Sequence, residues 1–156
     1  MIEQVLTVCI GNICRSPAAQ ALLRHRLPTL QVTSAGLQAL DGQGIDLPML
    51  ALLEAAGVQA HAHRARTLSS WMLAQSSLVL VMDAAQKAHI ERLYPAARGR
   101  VFRLGEHLGP QGQDIPDPYR QDAATCARVY SLIDQGVQRW SERIEALGYA
   151  ATEQAA

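Results

Sequence analysis

Apolar and polar positions along the chain alternate between short apolar runs and longer stretches that step by three and four. Val5-Leu-Thr-Val-Cys9 is apolar and β-branched enough for a buried strand. Ser16 can cap a helix and Pro17 can occupy its first turn, and Ala- and Leu-rich sequence carries that helix to about Leu27. Gln31 to Ala35 reads as a short strand stopped by Gly36, and Leu37 to Pro48 as a loop. Pro48 opens a helix to about Ala56, with Gly57 ending it. His61 to Arg64 falls in a connector, and Leu68 to Gln75 reads as a helix capped by Thr67 or Ser69. Leu78-Val-Leu-Val-Met82 is the most apolar run and predicts a central strand. Asp83 caps a helix from Ala84 to about Tyr94, broken by Pro95, and Val101 to Leu104 is a further short strand. Ala127, Tyr130, Ile133, Val137, Trp140, Ile144 and Leu147 place an amphipathic helix over Ala123 to Leu147.

Strands alternating with helices predict a small three-layer α/β sandwich: a four-stranded parallel sheet with helices on both faces. Residues 1–147 then form one domain, and residues 148–156, poor in large apolar side chains, a frayed tail. One stretch does not fit connectivity alone. Gly105 to Asp122 is rich in Gly, Pro and Asp and longer than a domain of this size needs.

Charge and cysteine usage narrow the function classes. Fourteen Lys+Arg against fourteen Asp+Glu argue against nucleic acid or an anionic membrane as main partner. No apolar run approaches the length of a membrane span, and Met1-Ile-Glu-Gln leads straight into the first strand without a signal peptide. Three cysteines in no framework spacing fit a reducing, cytoplasmic setting.

The candidate chemistry lies between the first strand and the first helix, in Cys9-Ile-Gly-Asn-Ile-Cys-Arg-Ser-Pro17. A strand, a tight turn and a helix N-terminus bring free N–H groups and the positive end of a helix dipole to one point, which suits an anion. Gly11 permits close backbone approach, and Asn12 tolerates a left-handed conformation. The loop lacks the Gly-Lys-Ser/Thr ending of a nucleotide cradle. It carries Cys9 and Arg15 instead: a thiol in a setting that favours thiolate, and a planar fork matched to two phosphate oxygens. That pairing suggests phosphoryl transfer to sulfur. A phenolate leaving group, of pKa about 10, then needs an acid. Asp114 and Asp117, flanking Ile115-Pro116, are the candidates.

The nonapeptide, with Asp117-Pro-Tyr119 far downstream, resembles the low-molecular-weight protein tyrosine phosphatases. Ser34-Ala-Gly36, His63-Arg-Ala-Arg66 and Val81-Met-Asp83 extend the resemblance over nearly the whole chain. It implies a metal-free, cofactor-free hydrolysis of phosphotyrosine through a phosphocysteine, with Cys9 as nucleophile, Arg15 on the phosphoryl oxygens and Asp117 as acid. It further implies that Ile10, Gly11, Asn12, Ile13, Cys14 and Ser16 form the phosphate site, with Ser34 bonding Asn12 to hold the cradle open. Leu40 and Ile13 would wall the pocket and Tyr119 stand at its rim. Leu37-Gln-Ala-Leu40 and Asp114-Ile-Pro-Asp-Pro-Tyr-Arg120 resemble the bacterial branch linked to exopolysaccharide export. The usual partners in that branch are autophosphorylating tyrosine kinases.

Other readings of the same residues stay open. Cys14 either fills space in the cradle or traps oxidised Cys9 as a disulfide, and the Ser16 hydroxyl, besides capping the helix, can donate to the Cys9 thiolate. Cys126 reads as a core residue, and His61, His63, His89 and His107 as solvated or structural. An arsenate reductase on this fold would need further redox cysteines downstream, and a protein-arginine phosphatase carries threonine where Ile13 stands. A binding module without turnover would not need Asp117.

Overall fold

Residues 1–152 are described by the computed structural model, and over that span strands and helices alternate. β1 (Gln4–Cys9) leads to α1 (Arg15–Arg26), β2 (Gln31–Gly36), α2 (Leu47–Ala55), α3 (Ser70–Gln75) and β3 (Leu78–Val81). Then come α4 (Ala84–Leu93), a single 3-10 turn (Pro95–Ala97), β4 (Val101–Arg103) and α5 (Ala123–Leu147). The four strands are parallel in the order β2-β1-β3-β4, with Val5 opposite both Val32 and Leu78. The expected α/β sandwich with a four-stranded parallel sheet is what the chain forms.

The period-two alternation of the strands sorts two apolar layers. Val5, Leu78 and Leu80 pack with α1, α2 and α5, while Leu6, Val8, Val79 and Val81 pack with α3 and α4. Thr7, the polar break in β1, is buried and donates to the carbonyl of Ser16 at 2.8 Å, tying the strand to the start of α1. Cys9 ends β1 on the face covered by α1 and α5, at the carboxyl edge where open α/β sheets bind ligands.

Long-range pairing moves several expected boundaries. α1 starts at Arg15 with Cys14 at the N-cap position, so Ser16 lies inside the first turn and does not cap the helix. α3 starts at Ser70 rather than Leu68, because residues 66–68 run extended beside the end of β2: Gly36 N–H donates to Arg66, and Leu68 N–H to Gly36. On α5 the buried stripe is Cys126, Val129, Ile133, Val137, Trp140 and Ile144, and both Ala127 and Leu147 are exposed. The larger Cys126 and Val129 bury more apolar surface than Ala127 could, which sets the helix rotation. Asp83 does cap α4, accepting from Gln86 N at 2.8 Å.

The tail expected to fray from Gly148 is paired over its described part. Ile2 donates to Gly148 and accepts from Ala150, and Thr152 donates twice to the Thr29 carbonyl. Residues 153–156 of that expected tail lie outside the described residues.

Candidate active site

The five-residue turn between β1 and α1 is shaped from outside by its neighbours. The segment after β2 continues beside it, so that Leu37, Gln38 and Leu40 N–H donate to the carbonyls of Cys9, Ile10 and Gly11 at 2.9 to 3.0 Å. Asp46 N–H donates to Ile13 O at 2.8 Å, and the ring Nε2–H of His63 donates to Asn12 O at 2.7 Å. Every carbonyl from Cys9 to Ile13 is therefore engaged on the outer side. Among the described residues, no backbone N–H from Ile10 to Arg15 has a protein acceptor. Unpaired donors gathered at the start of a helix form an anion site.

Asn12 is fully buried with φ +56°, the left-handed conformation the sequence allowed for. Its Oδ1 accepts Arg66 N–H at 3.0 Å, so both amide protons point the other way, to Ser16 Oγ at 2.8 Å and Ser34 Oγ at 3.0 Å. The direction of this network is fixed further back. Gln20 Nε2 donates to Val32 O at 3.3 Å, which makes Gln20 Oε1 the acceptor for the Ser34 hydroxyl at 2.6 Å. Ser34 must therefore accept from Asn12. Ser16, accepting from Asn12 in turn, is left with its own proton for Cys9 Sγ at 2.9 Å, nearer than the Ala35 carbonyl at 3.5 Å. Of the two roles expected of this hydroxyl, capping the helix and donating to the Cys9 thiol, it takes the second.

The close approach expected at Gly11 falls elsewhere. A Cβ there would meet Ile13 and Leu40 only at ordinary van der Waals distance, 3.7 and 3.9 Å. A Cβ on Gly36 would lie 2.5 Å from Ile10 O and 3.0 Å from Asn12 N, so Gly36 is what lets β2 end against the loop.

Arg15 is buried to 3% exposure, and three groups hold its guanidinium. Nη1 donates to Ile115 O at 2.8 Å, with Asp83 Oδ2 at 3.9 Å, and Nη2 lies 3.7 Å from Asp117 Oδ2. Residues 105–122 reach this edge because Ile115, fully buried, also donates its N–H to Met82 O at 2.8 Å. Asp117 Oδ1 accepts Tyr119 N–H at 3.1 Å, which leaves Oδ2 toward Arg15. Asp114 is turned away, accepting from Ala84 N–H at 3.2 Å and Arg103 Nη1 at 3.0 Å.

These groups enclose a cavity of about 170 Å³. Cys9, Cys14 and Arg15 line it together with Ile10, Gly11 and Ile13, and Leu40, Tyr119 and Asp117 close it from the other side. Asn12, Ser16 and Ser34 stand behind the loop rather than in the cavity. Asp114 does not line it. Gln38, whose N–H pairs with Ile10, also lines it, although within the Leu37-Gln-Ala-Leu40 motif only Leu40 was expected in the pocket. Nor did the sequence mark Gln20, or the roles of His63 and Arg66 in gripping Asn12 from more than fifty residues away.

All three cysteines are free and buried. Burial pushes the Cys14 thiol well up, and Cys126, Asp46, Cys9 and Asp117 add to it, so Cys14 is held as a neutral thiol. Burial likewise draws His63 below the ordinary imidazole value. Its bond to Asn12 works the other way, and Arg64, Arg66 and Arg24 lower it further, consistent with a neutral ring donating through Nε2. Among the described residues no helix is long and apolar enough to cross a membrane.

The family model described as low molecular weight phosphotyrosine protein phosphatase matches residues 4–148. A probable low molecular weight protein-tyrosine-phosphatase, EpsP of Ralstonia nicotianae, is 45% identical over 95% of this chain and 100% of its own length. The crystal structure of the tyrosine phosphatase Wzb from Escherichia coli K30 in complex with sulphate superposes with a TM-score of 0.88 at 36% identity, covering 92% of this chain and 99% of that one. The YwlE arginine phosphatase from Geobacillus stearothermophilus superposes with a TM-score of 0.86 at 28% identity, covering 93% and 94%.

Proposed function

The chain belongs to the low molecular weight phosphotyrosine protein phosphatase family, and from that premise we propose how its own residues divide the hydrolysis of phosphotyrosine. Cys9, as thiolate, attacks phosphorus in line with the phenolic oxygen. Arg15 and the unpaired N–H groups of residues 10–15 hold the three equatorial oxygens. Asp117 protonates the departing tyrosine oxygen. It then takes a proton from the water that hydrolyses the phosphocysteine. Ser16, whose proton is directed at Sγ, stabilises the thiolate before attack and again as it leaves. The observation that carries this reading is the convergence of Cys9, Arg15 and Asp117 on one cavity while Asp114, three residues away, is turned out of it.

Cavity shape supports an aryl phosphate. Ile13 and Leu40 offer apolar walls and Tyr119 an aromatic edge. The likeness to an arginine phosphatase keeps a second substrate in view, but buried Ile13 gives a guanidinium no polar partner. The test compares kcat/KM on matched phosphotyrosine, phosphoserine and phosphoarginine peptides. Aryl burial of about 1.5–3 kcal/mol predicts roughly a tenfold to more than hundredfold preference for phosphotyrosine. Equal efficiency on phosphoarginine overturns the tyrosine assignment.

The protein substrate in this reading is an autophosphorylating bacterial tyrosine kinase in the cytoplasm, and the process it controls is exopolysaccharide production or export. Support comes from the likeness to EpsP and Wzb and from the motif around Leu40. Capture of a kinase from the native cell by an Asp117→Ala trap checks it, and capture of unrelated phosphoproteins alone counts against it. Cys14 in this reading also intercepts oxidised Cys9. Peroxide inactivation that thiol reverses in the parent and not in Cys14→Ser supports that role, and equal recovery removes it.

A further inference from the structure

A second cavity, of about 450 Å³, lies against the residues that support the catalytic loop and shares no lining residue with the catalytic cavity. Gln20 and Arg24 reach it from α1, and His63, Arg64 and Arg66 from the connector between α2 and α3. No carboxylate lines it. Among the described residues, none of the three arginines has an Asp or Glu within ion-pair distance.

Two of the arginines are oriented by hydrogen bonds. Arg66 Nε donates to Ser34 O at 2.8 Å, and Arg64 Nη1 to His63 O at 2.6 Å. The terminal nitrogens of Arg66 and the whole guanidinium of Arg24 have no protein acceptor among the described residues. All three line the same cavity as His63, and each adds to the lowering of its pKa that burial begins. Cations gathered without a counter-charge repel one another, and an anion placed among them relieves that repulsion. Guanidinium forks match phosphate oxygens, and the volume is in the range of small-molecule sites. Ile45 adds an apolar wall for an organic body.

We propose that this cavity binds a small organic phosphate, at a site separate from the catalytic one. Its occupant would touch the groups that grip Asn12. His63 and Arg66 N–H both donate to Asn12, and Gln20 accepts from the Ser34 hydroxyl that itself receives an Asn12 proton. Binding there is therefore sensed by the catalytic loop without contact to Cys9.

The test uses the full chain with Cys9 carbamidomethylated, so that the catalytic cavity is filled and cannot supply the binding signal. Adenosine monophosphate, inorganic phosphate and adenosine are titrated separately by calorimetry, with the His63 ring followed by NMR. The expected result is saturable one-to-one binding of adenosine monophosphate and no binding of adenosine. The His63 pKa should rise on saturation, because the bound anion offsets the arginines that hold it down. Arg24→Glu and Arg64→Glu, both at exposed positions, should each weaken the complex by about tenfold or more. Adenosine binding as tightly as its monophosphate overturns the proposal. So does the absence of saturable binding of either phosphate probe to the carbamidomethylated chain, or affinity unchanged by both charge reversals.

Discussion

Residues 9–16 and residues 105–122 close on the same cavity, yet they are held in opposite ways. In the first, Asn12 makes hydrogen bonds through its Oδ1, both amide protons and its carbonyl, and its neighbours Cys9, Arg15 and Ser16 are all buried. In the second, fully buried Ile115 anchors the loop at its middle, while Asp117 two residues on has a half-exposed side chain and its adjacent Arg15 at 3.7 Å. The difference follows from what the proposed mechanism asks of each. Donors that stabilise a transition state must be aimed before it forms, so their geometry is over-determined. An acid that later becomes a base must exchange protons with water, so it needs a fixed reach and a wet face.

Removing the nucleophile breaks the first region's chemistry without touching its geometry, and it has the largest expected effect. Cys9→Ser keeps an atom of similar size beside Ser16 but places a hydroxyl where the loop is arranged for a thiolate. Turnover should be abolished while phosphate binding, followed by NMR or calorimetry, persists. Residual turnover within about tenfold of the parent would remove Cys9 from the nucleophile's role.

The second region is probed by Asp117→Asn, which should cost about 10²–10⁴ in kcat on phosphotyrosine. An aryl phosphate whose leaving group is already a weak base needs no proton, so its loss should be far smaller. Equal losses on both substrates would show that Asp117 positions Arg15 rather than donating a proton.

Ile115→Ala separates anchoring from chemistry. The side chain is fully buried, and its truncation should lower unfolding free energy by about 2–5 kcal/mol in urea denaturation. Because the Ile115 backbone also joins Met82 to Arg15, kcat should fall on both substrates alike, unlike the Asp117 result. Unchanged stability would mean that the loop is held by its backbone pairing alone.

Where the sequence was legible, the determinants were contiguous. The strand, turn and helix around Cys9 announced an anion cradle because nine adjacent residues carry the whole signal, including the left-handed Asn12. The α5 boundaries followed from local periodicity, although the exposed Ala127 and Leu147 show that a stripe read by spacing alone can drift at its ends. Local rules failed where distant chain competed. Ser16 obeys every capping preference, yet Asn12 and Cys9 claim its hydroxyl. Leu68 belongs by pattern to a helix, yet pairing with Gly36 holds it extended. The grip of His63, Arg66 and Gln20 on the loop depends on amide orientations set across the fold, which no spacing along the chain encodes.

Asp114 and Asp117 give the sharpest form of the comparison, because exposure cannot tell them apart. Their side chains are 53% and 50% accessible, and each faces one arginine. Asp114 makes the closer ion pair, 3.0 Å to Arg103, and also accepts from Ala84 N–H at the start of α4. By contact distance alone it is the better-held carboxylate. Those contacts point it along the outside of the loop, however, and an exposed pair of this kind contributes about 0–1 kcal/mol to stability. Asp114→Asn keeps the acceptor for Ala84 and removes only the charge facing Arg103. It should lower unfolding free energy by no more than about 1 kcal/mol and change kcat on phosphotyrosine by about fivefold or less. A loss as large as that of Asp117→Asn, again confined to substrates with basic leaving groups, would transfer the acid's role to Asp114. It would also mean that the loop rearranges around Ile115 when substrate binds.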